Sequence, residues 1–300
     1  MVLVCSLVAA AMSVSADAAS VSGASALAYD ANLAPGGALL GVSNAPYAPN
    51  PSERLDVVEP TGAAAGNARP VVVLVHGGGW TGGSQTEMEP EVEAVITAGW
   101  VAVNIDYPLV PATTILGQVS AVAGAVRWVR LHAAALGVDP HQVALWGSSA
   151  GGNLVLLASE RDHSIAAVAS WSGPADLVDL VDQYPPHAGC GWNCGLETFL
   201  STLAQEAVGC SPSDCPAAWR QDSPDRQVTP GMPPMLAVNS VAELVPSGGA
   251  AQLVTAMRAV GNTAWLLLLP GTLHATEYSA TATAPTMWFL ATALAGHHPA

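Results

Sequence analysis

Three hundred residues at 30.3 kDa, 51% of them hydrophobic and 10% charged, describe a core-forming chain and exclude a disordered one. Eight arginines and no lysine stand against 23 acidic residues, for a net charge of −15. Nucleic acid is thereby excluded as a partner, as is electrostatic attachment to anionic lipid, because no basic face can form.

Val2 to Val14 is apolar but too short to span a bilayer. Small residues follow, in Val14-Ser15-Ala16 and Ala16-Asp17-Ala18, so residues 1–18 read as a secretory signal, although the usual positive n-region is missing. A buried helix is the alternative for this segment. No other stretch reaches membrane-spanning length without polar interruption, so stable membrane insertion is not expected. Residues 19–50, rich in Ala, Ser, Gly and Pro without periodicity, read as an extended lead-in.

Leu55 to Val58 alternates and suits an edge strand. Val71–Val75 is a continuous β-branched run of the kind buried on both faces of a sheet, and similar runs recur at Trp100–Ile105, Val143–Trp146, Ile165–Trp171, Met235–Val238 and Trp265–Leu269. Helical periods lie between them, at Glu89–Ala98, Ile115–Leu136, Leu154–Ser159, Gly249–Val260 and Ala284–Ala295. This alternation predicts an α/β fold with a mostly parallel central sheet flanked by helices. Only residues 176–222 break the rhythm. Proline pairs, cysteines and one helical stretch at Leu196–Val208 mark that segment as a lid-like insertion above the sheet.

Removal of a signal would discard Cys5 and leave Cys190, Cys194, Cys210 and Cys215, all within the insertion. An even set in an exported chain points to two disulfides stapling the lid, with connectivity open apart from the short loop that Cys210 and Cys215 could close. A zinc site is the alternative, but its spacings would be looser than the usual two-residue knuckle.

Three positions carry chemistry. Ser149 lies in Gly147-Ser148-Ser149-Ala150-Gly151, between a strand and a helix, where a sharp turn exposes the hydroxyl and needs small neighbours. His76-Gly77-Gly78-Gly79-Trp80 directly follows the strand Val71–Val75. Its glycines leave backbone N–H groups unobstructed, so Gly78 and Gly79, with the amide of Ala150, form a candidate oxyanion hole. His76 itself reads as structural, and Trp80 is placed beside the substrate pocket. His274 follows the last strand run and precedes the final helix. Among eight histidines it alone combines a strand-end loop with the Ser…acid…His order, which makes it the candidate general base.

With these motifs the chain resembles the α/β-hydrolase superfamily, and within it the HGGGW-bearing esterases and lipases of the hormone-sensitive-lipase-like and polysaccharide-acetyl-esterase-like groups. The resemblance runs from about Leu55 to Leu294 and includes Asp106-Tyr107, the Leu136-Gly137-Val138-Asp139-Pro140 turn and Ser223-Pro224 ahead of Pro233-Pro234. It implies one hydrolase domain over residues 51–300, and hydrolysis of carboxylic esters by serine, carboxylate and histidine, with no metal or organic cofactor. In one respect the chain departs from the pattern. Such relatives often carry Asp followed by two residues and Val-Pro, and alignment on Val245-Pro246 puts Ala242 at that position. Glu243, one residue later, is the candidate acid, with Asp176 as a weaker alternative.

The leading expectation is a secreted serine carboxylesterase. Short acyl or acetyl esters are favoured, on a small molecule or a glycan polymer, because a charge of −15 disfavours anionic substrates. A secreted peptidase or amidase of the same fold, or a binding protein with a degraded triad, are the alternatives. Trp192, Phe199 and Trp219 of the insertion are candidates to wall the pocket.

Overall fold

The computed structural model describes residues 39–60, 68–186 and 195–296. The proposed signal, Cys190, Cys194 and Trp192 lie outside the described residues. Eight strands form a single sheet: β1 (Leu39–Pro46), β2 (Arg54–Glu59), β3 (Arg69–Val75), β4 (Val101–Asp106), β5 (Val138–Ser148), β6 (Ala167–Trp171), β7 (Met235–Ser240) and β8 (Ala264–Leu269). Their order is β1-β2-β4-β3-β5-β6-β7-β8. β1, β2 and β4 pair antiparallel, and every pairing from β4 to β8 is parallel. Thus Leu55–Val58 is not an edge strand. Its neighbour β1, within the supposed lead-in, takes the edge and pairs with β2 through two register irregularities.

The β-branched runs are buried on both faces because helices cover both. Val71, Val73 and Val75 face one core, against α2 (Ile115–Leu131), α4 (Ala150–Arg161) and α8 (Ser247–Ala259). Val72 and Leu74 face the other, against α1 (Glu89–Thr97) and α9 (Ser279–Leu294). The parallel pairing of Val71–Val75 with Val101–Ile105 on one side and Val143–Gly147 on the other keeps this alternation in phase.

Several helix limits differ from the periodic reading. The stretch Ile115–Leu136 divides at His132, which leaves helical conformation at φ −103° and ψ 9°, into α2 and α3 (Ala133–Leu136), and the His132 ring Nδ1–H donates to the Trp128 carbonyl. Gly137, at φ 60°, then closes α3. α4 begins directly after Ser149, and α9 begins at Ser279, ahead of the point its periodicity suggested, with Pro285 in its interior.

The insertion holds α5 (Leu177–Gln183), α6 (Leu196–Val208) and α7 (Pro216–Gln221), the first and last of which the sequence pattern did not indicate. Cys210 and Cys215 form a disulfide between α6 and α7, which takes two thiolates away from any zinc site. Trp219 is buried and donates from Nε1 to the Cys210 carbonyl at 3.0 Å. Asn153 of α4, fully buried, donates to the carbonyls of Pro174 (2.9 Å) and Asp222 (3.2 Å), tying both ends of the insertion to the helix that follows Ser149.

Burial pushes the Asp222 carboxyl up to about 7, and the Arg161 guanidinium offsets this only in part. A carboxyl whose pKa is raised on folding stabilises the fold fully below its unfolded value near 4, and that contribution is lost as pH rises through 7. The protein is therefore expected to be more stable at pH 5 than at pH 8. Asp222→Asn should reduce that difference, as read from urea midpoints at the two pH values.

Candidate active site

The candidate residues come from the C-terminal ends of neighbouring parallel strands, where open α/β sheets bind ligands. Ser149 occupies the turn between β5 and α4 at φ 52° and ψ −119°, a conformation that L side chains rarely adopt. The turn tolerates no bulk at its flanks. A Cβ on Gly147 would lie 2.2 Å from the Gly151 carbonyl oxygen, and one on Gly151 would lie 2.2 Å from that of Val75. The Ser149 amide donates to the Trp171 carbonyl at 2.7 Å, anchoring the turn to the end of β6.

His274 follows β8. Its Nε2 lies 2.9 Å from Ser149 Oγ and its Nδ1 lies 2.5 Å from Glu243 Oε2. The tautomer that satisfies both contacts carries the proton on Nδ1, donates it to the carboxylate, and leaves Nε2 to accept the serine hydroxyl. Glu243 is buried, and its other oxygen accepts the Ser240 amide at 2.7 Å. Asp176, the alternative acid, instead caps α5 and pairs with Arg226 at 2.9 Å.

A buried relay holds the histidine loop. The amide of Ala275 donates to Ser172 Oγ (2.9 Å), Ser172 Oγ lies 2.8 Å from the Tyr278 hydroxyl, and that hydroxyl donates to the Val238 carbonyl at 2.8 Å. Tyr278 has one proton, so the Ser172 proton points to Tyr278 and the chain runs in a single direction. Trp171 packs against Tyr278, with ring centroids 5.3 Å apart. No motif points to Ser172 or Tyr278. The two become recognisable only once β6, β7 and the histidine loop are adjacent.

Gly78 (φ 101°) and Gly79 (φ 59°) take left-handed conformations in the loop after β3. The space is as tight as at Ser149, since a Cβ on Gly78 would lie 2.1 Å from the Gly82 carbonyl oxygen. Gly77, Gly78, Gly79, Ser149 and His274 border one cleft of about 430 Å³, and Ala150 opens α4 beside it. His76 is buried, stacks on Tyr107 at 4.3 Å and hydrogen-bonds the Gly77 carbonyl through Nδ1 at 2.8 Å. Its pKa is lowered by burial. Trp80 is not a pocket residue. Its ring is fully buried in the core, where Nε1 donates to Asn153 Oδ1 at 3.3 Å. Of the insertion aromatics, Phe199 lines the cleft and Trp219 does not. Among the described residues no cluster suited to a metal ion occurs, and no helix is long and apolar enough to cross a membrane.

Removal of the Tyr278 hydroxyl leaves the Ser172 proton without its acceptor and the Val238 carbonyl without that donor. Tyr278→Phe is expected to destabilise the fold by about 1–3 kcal/mol. The measurement is a lower urea midpoint at an unchanged m-value.

Residues 55–257 match the BD-FAE family model. The chain is 27% identical over 256 residues to the esterase LipQ of Mycobacterium tuberculosis, an alignment that covers 80% of this chain and 58% of LipQ. It is 29% identical over 249 residues to the esterase LipC of the same organism, covering 76% and 58% respectively. The chain thus spans a little under three fifths of the length of these curated relatives. Among solved structures, a truncated form of a carbohydrate esterase from gut microbiota superposes with a TM-score of 0.74 at 20% identity, covering 84% of this chain and 95% of that one. With the family model matched across most of the chain and the sheet order above, this protein belongs to the BD-FAE family and has the α/β-hydrolase fold.

Proposed function

We propose that the protein is a serine carboxylesterase that hydrolyses uncharged carboxylic esters of short acyl groups, including acetyl, through an acyl-enzyme intermediate. The observation that carries this reading is the hydrogen-bonded chain Ser149–His274–Glu243 beside the Gly77–Gly79 loop. The esterases LipQ and LipC, similar over most of this chain, support the same reaction class.

In this reading Ser149 Oγ attacks the ester carbonyl carbon while its proton passes to His274 Nε2. Glu243 holds the Nδ1 proton and stabilises the imidazolium that forms. Negative charge on the former carbonyl oxygen is met by the amides of Gly78, Gly79 and Ala150, each such donor typically contributing about 2.7–4 kcal/mol in the transition state. Collapse of this intermediate breaks the bond to the alcohol oxygen, which leaves with the proton from His274. Water, deprotonated by the same histidine, then attacks the acyl-serine. Collapse of the second intermediate returns the proton to Ser149 and releases the carboxylic acid. No step requires a metal ion or an organic cofactor.

The cleft presents Glu87 and Glu277, and no lysine or arginine among its described lining residues, which favours neutral over anionic esters. The Cys210–Cys215 disulfide supports an extracellular location, with residues 1–18 as the signal that directs export.

Hydrolysis of p-nitrophenyl acetate and labelling by a fluorophosphonate probe test the reading together. Ser149→Ala is expected to abolish labelling and to lower kcat by about 10⁴-fold or more; unchanged hydrolysis by this variant overturns the assignment. Glu243→Gln keeps the size of the side chain but not its charge. Its kcat is expected to fall on the order of 10⁴-fold with little change in KM.

A further inference from the structure

A second cavity, of about 460 Å³, lies next to the Ser149 cleft. The two share Thr81 and run along the same helix, α6. Phe199, Leu200 and Leu203 of α6 border the first cavity. Gln205 and Glu206, further along α6, and Gly209 just past its end border the second, together with Val110 and Pro111. The changeover falls at Leu203. Its Cδ1 lies 2.7 Å from where a Cβ on Gly79 would stand, so this side chain crosses from the insertion to the glycine loop and rests on the Gly79 backbone.

The helix that carries this side chain is firmly held. Leu200, Ala204 and Ala207 are buried, the Ser201 hydroxyl donates to the Tyr184 carbonyl, and the disulfide to Cys215 follows directly after Gly209. Leu203 is therefore held on the wall of the first cavity, against Gly79 and beside the point where the two cavities meet at Thr81. The direction of the substrate follows from the proton path. The leaving alcohol must face His274 Nε2, which returns its proton, and residues 274–277 border only the first cavity. The arm that points away from His274, past Gly79 and Thr81, is the acyl arm.

We propose that Leu203 sets acyl-chain length: it closes the ester cleft against the second cavity, restricting the enzyme to short acyl groups, and the second cavity is a latent site for the distal methylenes of a longer linear acyl chain. This rests on the ester hydrolysis proposed above and adds to it the residue that determines specificity. Each added methylene that finds an apolar surface strengthens binding, whereas one that meets Leu203 must displace it from Gly79.

The test is kcat/KM of the full chain for p-nitrophenyl acetate, butyrate and octanoate. The unsubstituted protein is expected to favour acetate and butyrate. Leu203→Ala should raise the octanoate-to-acetate ratio by about tenfold or more, with Leu203→Val giving a smaller shift of the same sign should the larger truncation fold poorly. Adding Glu206→Trp, an exposed position on the wall of the second cavity, should return the ratio of the Leu203→Ala protein to its starting value. A ratio unmoved by both truncations overturns the proposal, as does a raised ratio that persists in the double variant or an unsubstituted protein that already prefers octanoate. Failure of the underlying reading looks different: no protein hydrolyses acetate and Ser149 takes no fluorophosphonate, which overturns both.

Discussion

The structure depends on a backbone contact between the first turn of α4 and the end of β3. At Gly151 the two chains approach so closely that a Cβ would stand 2.2 Å from the Val75 carbonyl oxygen and 2.3 Å from that of His76. This forces β5 to turn sharply into the helix and holds Ser149 at positive φ, a conformation that costs about 1–3 kcal/mol and persists only where its surroundings determine it. The same contact fixes the glycine loop. His76 ends the pressed segment, and Gly77 follows it with no room for a side chain against Ser149, where a Cβ would meet the serine Cβ at 3.1 Å. The distance between the serine and the Gly78 and Gly79 amides is thus set by backbone packing, which side-chain motion cannot loosen.

The histidine cannot be held in that way. It follows β8, an edge strand three places along the sheet from β5, and no glycine contact joins its loop to the serine turn. Hydrogen bonds take over the role. Ser240 Oγ donates to the Leu273 carbonyl at 2.6 Å, and the Ala242 amide donates to the Gly271 carbonyl at 3.1 Å, tying the acid loop to the histidine loop on both sides of Thr272. The relay through Ser172 and Tyr278 fixes the residue after His274 to the ends of β6 and β7. All of its members are buried, so breaking one link exposes no group to water that could replace the lost partner.

The elements legible in the sequence are those whose physical cause is local. Val71–Val75 and Val143–Trp146 read as strands because burial on both faces demands continuous apolar runs, and Gly147, Ser149 and Gly151 read as a turn because close approach demands small residues at fixed spacing. β1 was not legible. It is an edge strand of Leu, Gly, Val, Ser, Asn, Ala and Pro whose pairing with β2 carries two irregularities, so neither alternation nor a β-branched run marks it. α5 and α7 span 7 and 6 residues, too short to establish a helical period. Trp80 misled for a related reason. Its place beside the glycine loop suggests the pocket, but at φ 62° the chain turns the indole inward to Asn153, and side-chain direction at positive φ cannot be read from neighbours in sequence.

The acid illustrates the same limit from the opposite side. Counting from Val245-Pro246 selects Ala242, but facing decides which residue meets His274, and the sheet sets the facing. Past Ser240 the chain turns, and its amides still reach across to the neighbouring chain, Val241 donating to the Leu269 carbonyl and Ala242 to that of Gly271. Ala242 is thereby held in backbone pairing with its side chain exposed, where a carboxylate would point to solvent. Glu243 is the first residue beyond this pairing whose side chain turns inward, and it is buried. The carboxylate folds back to take the Ser240 amide with one oxygen while the other reaches His274 Nδ1. Aspartate at 243, shorter by one methylene, would lack the reach to hold both partners. The one-residue offset from the expected motif thus reflects where the chain leaves its backbone contacts with the loop after β8 and turns its side chain inward.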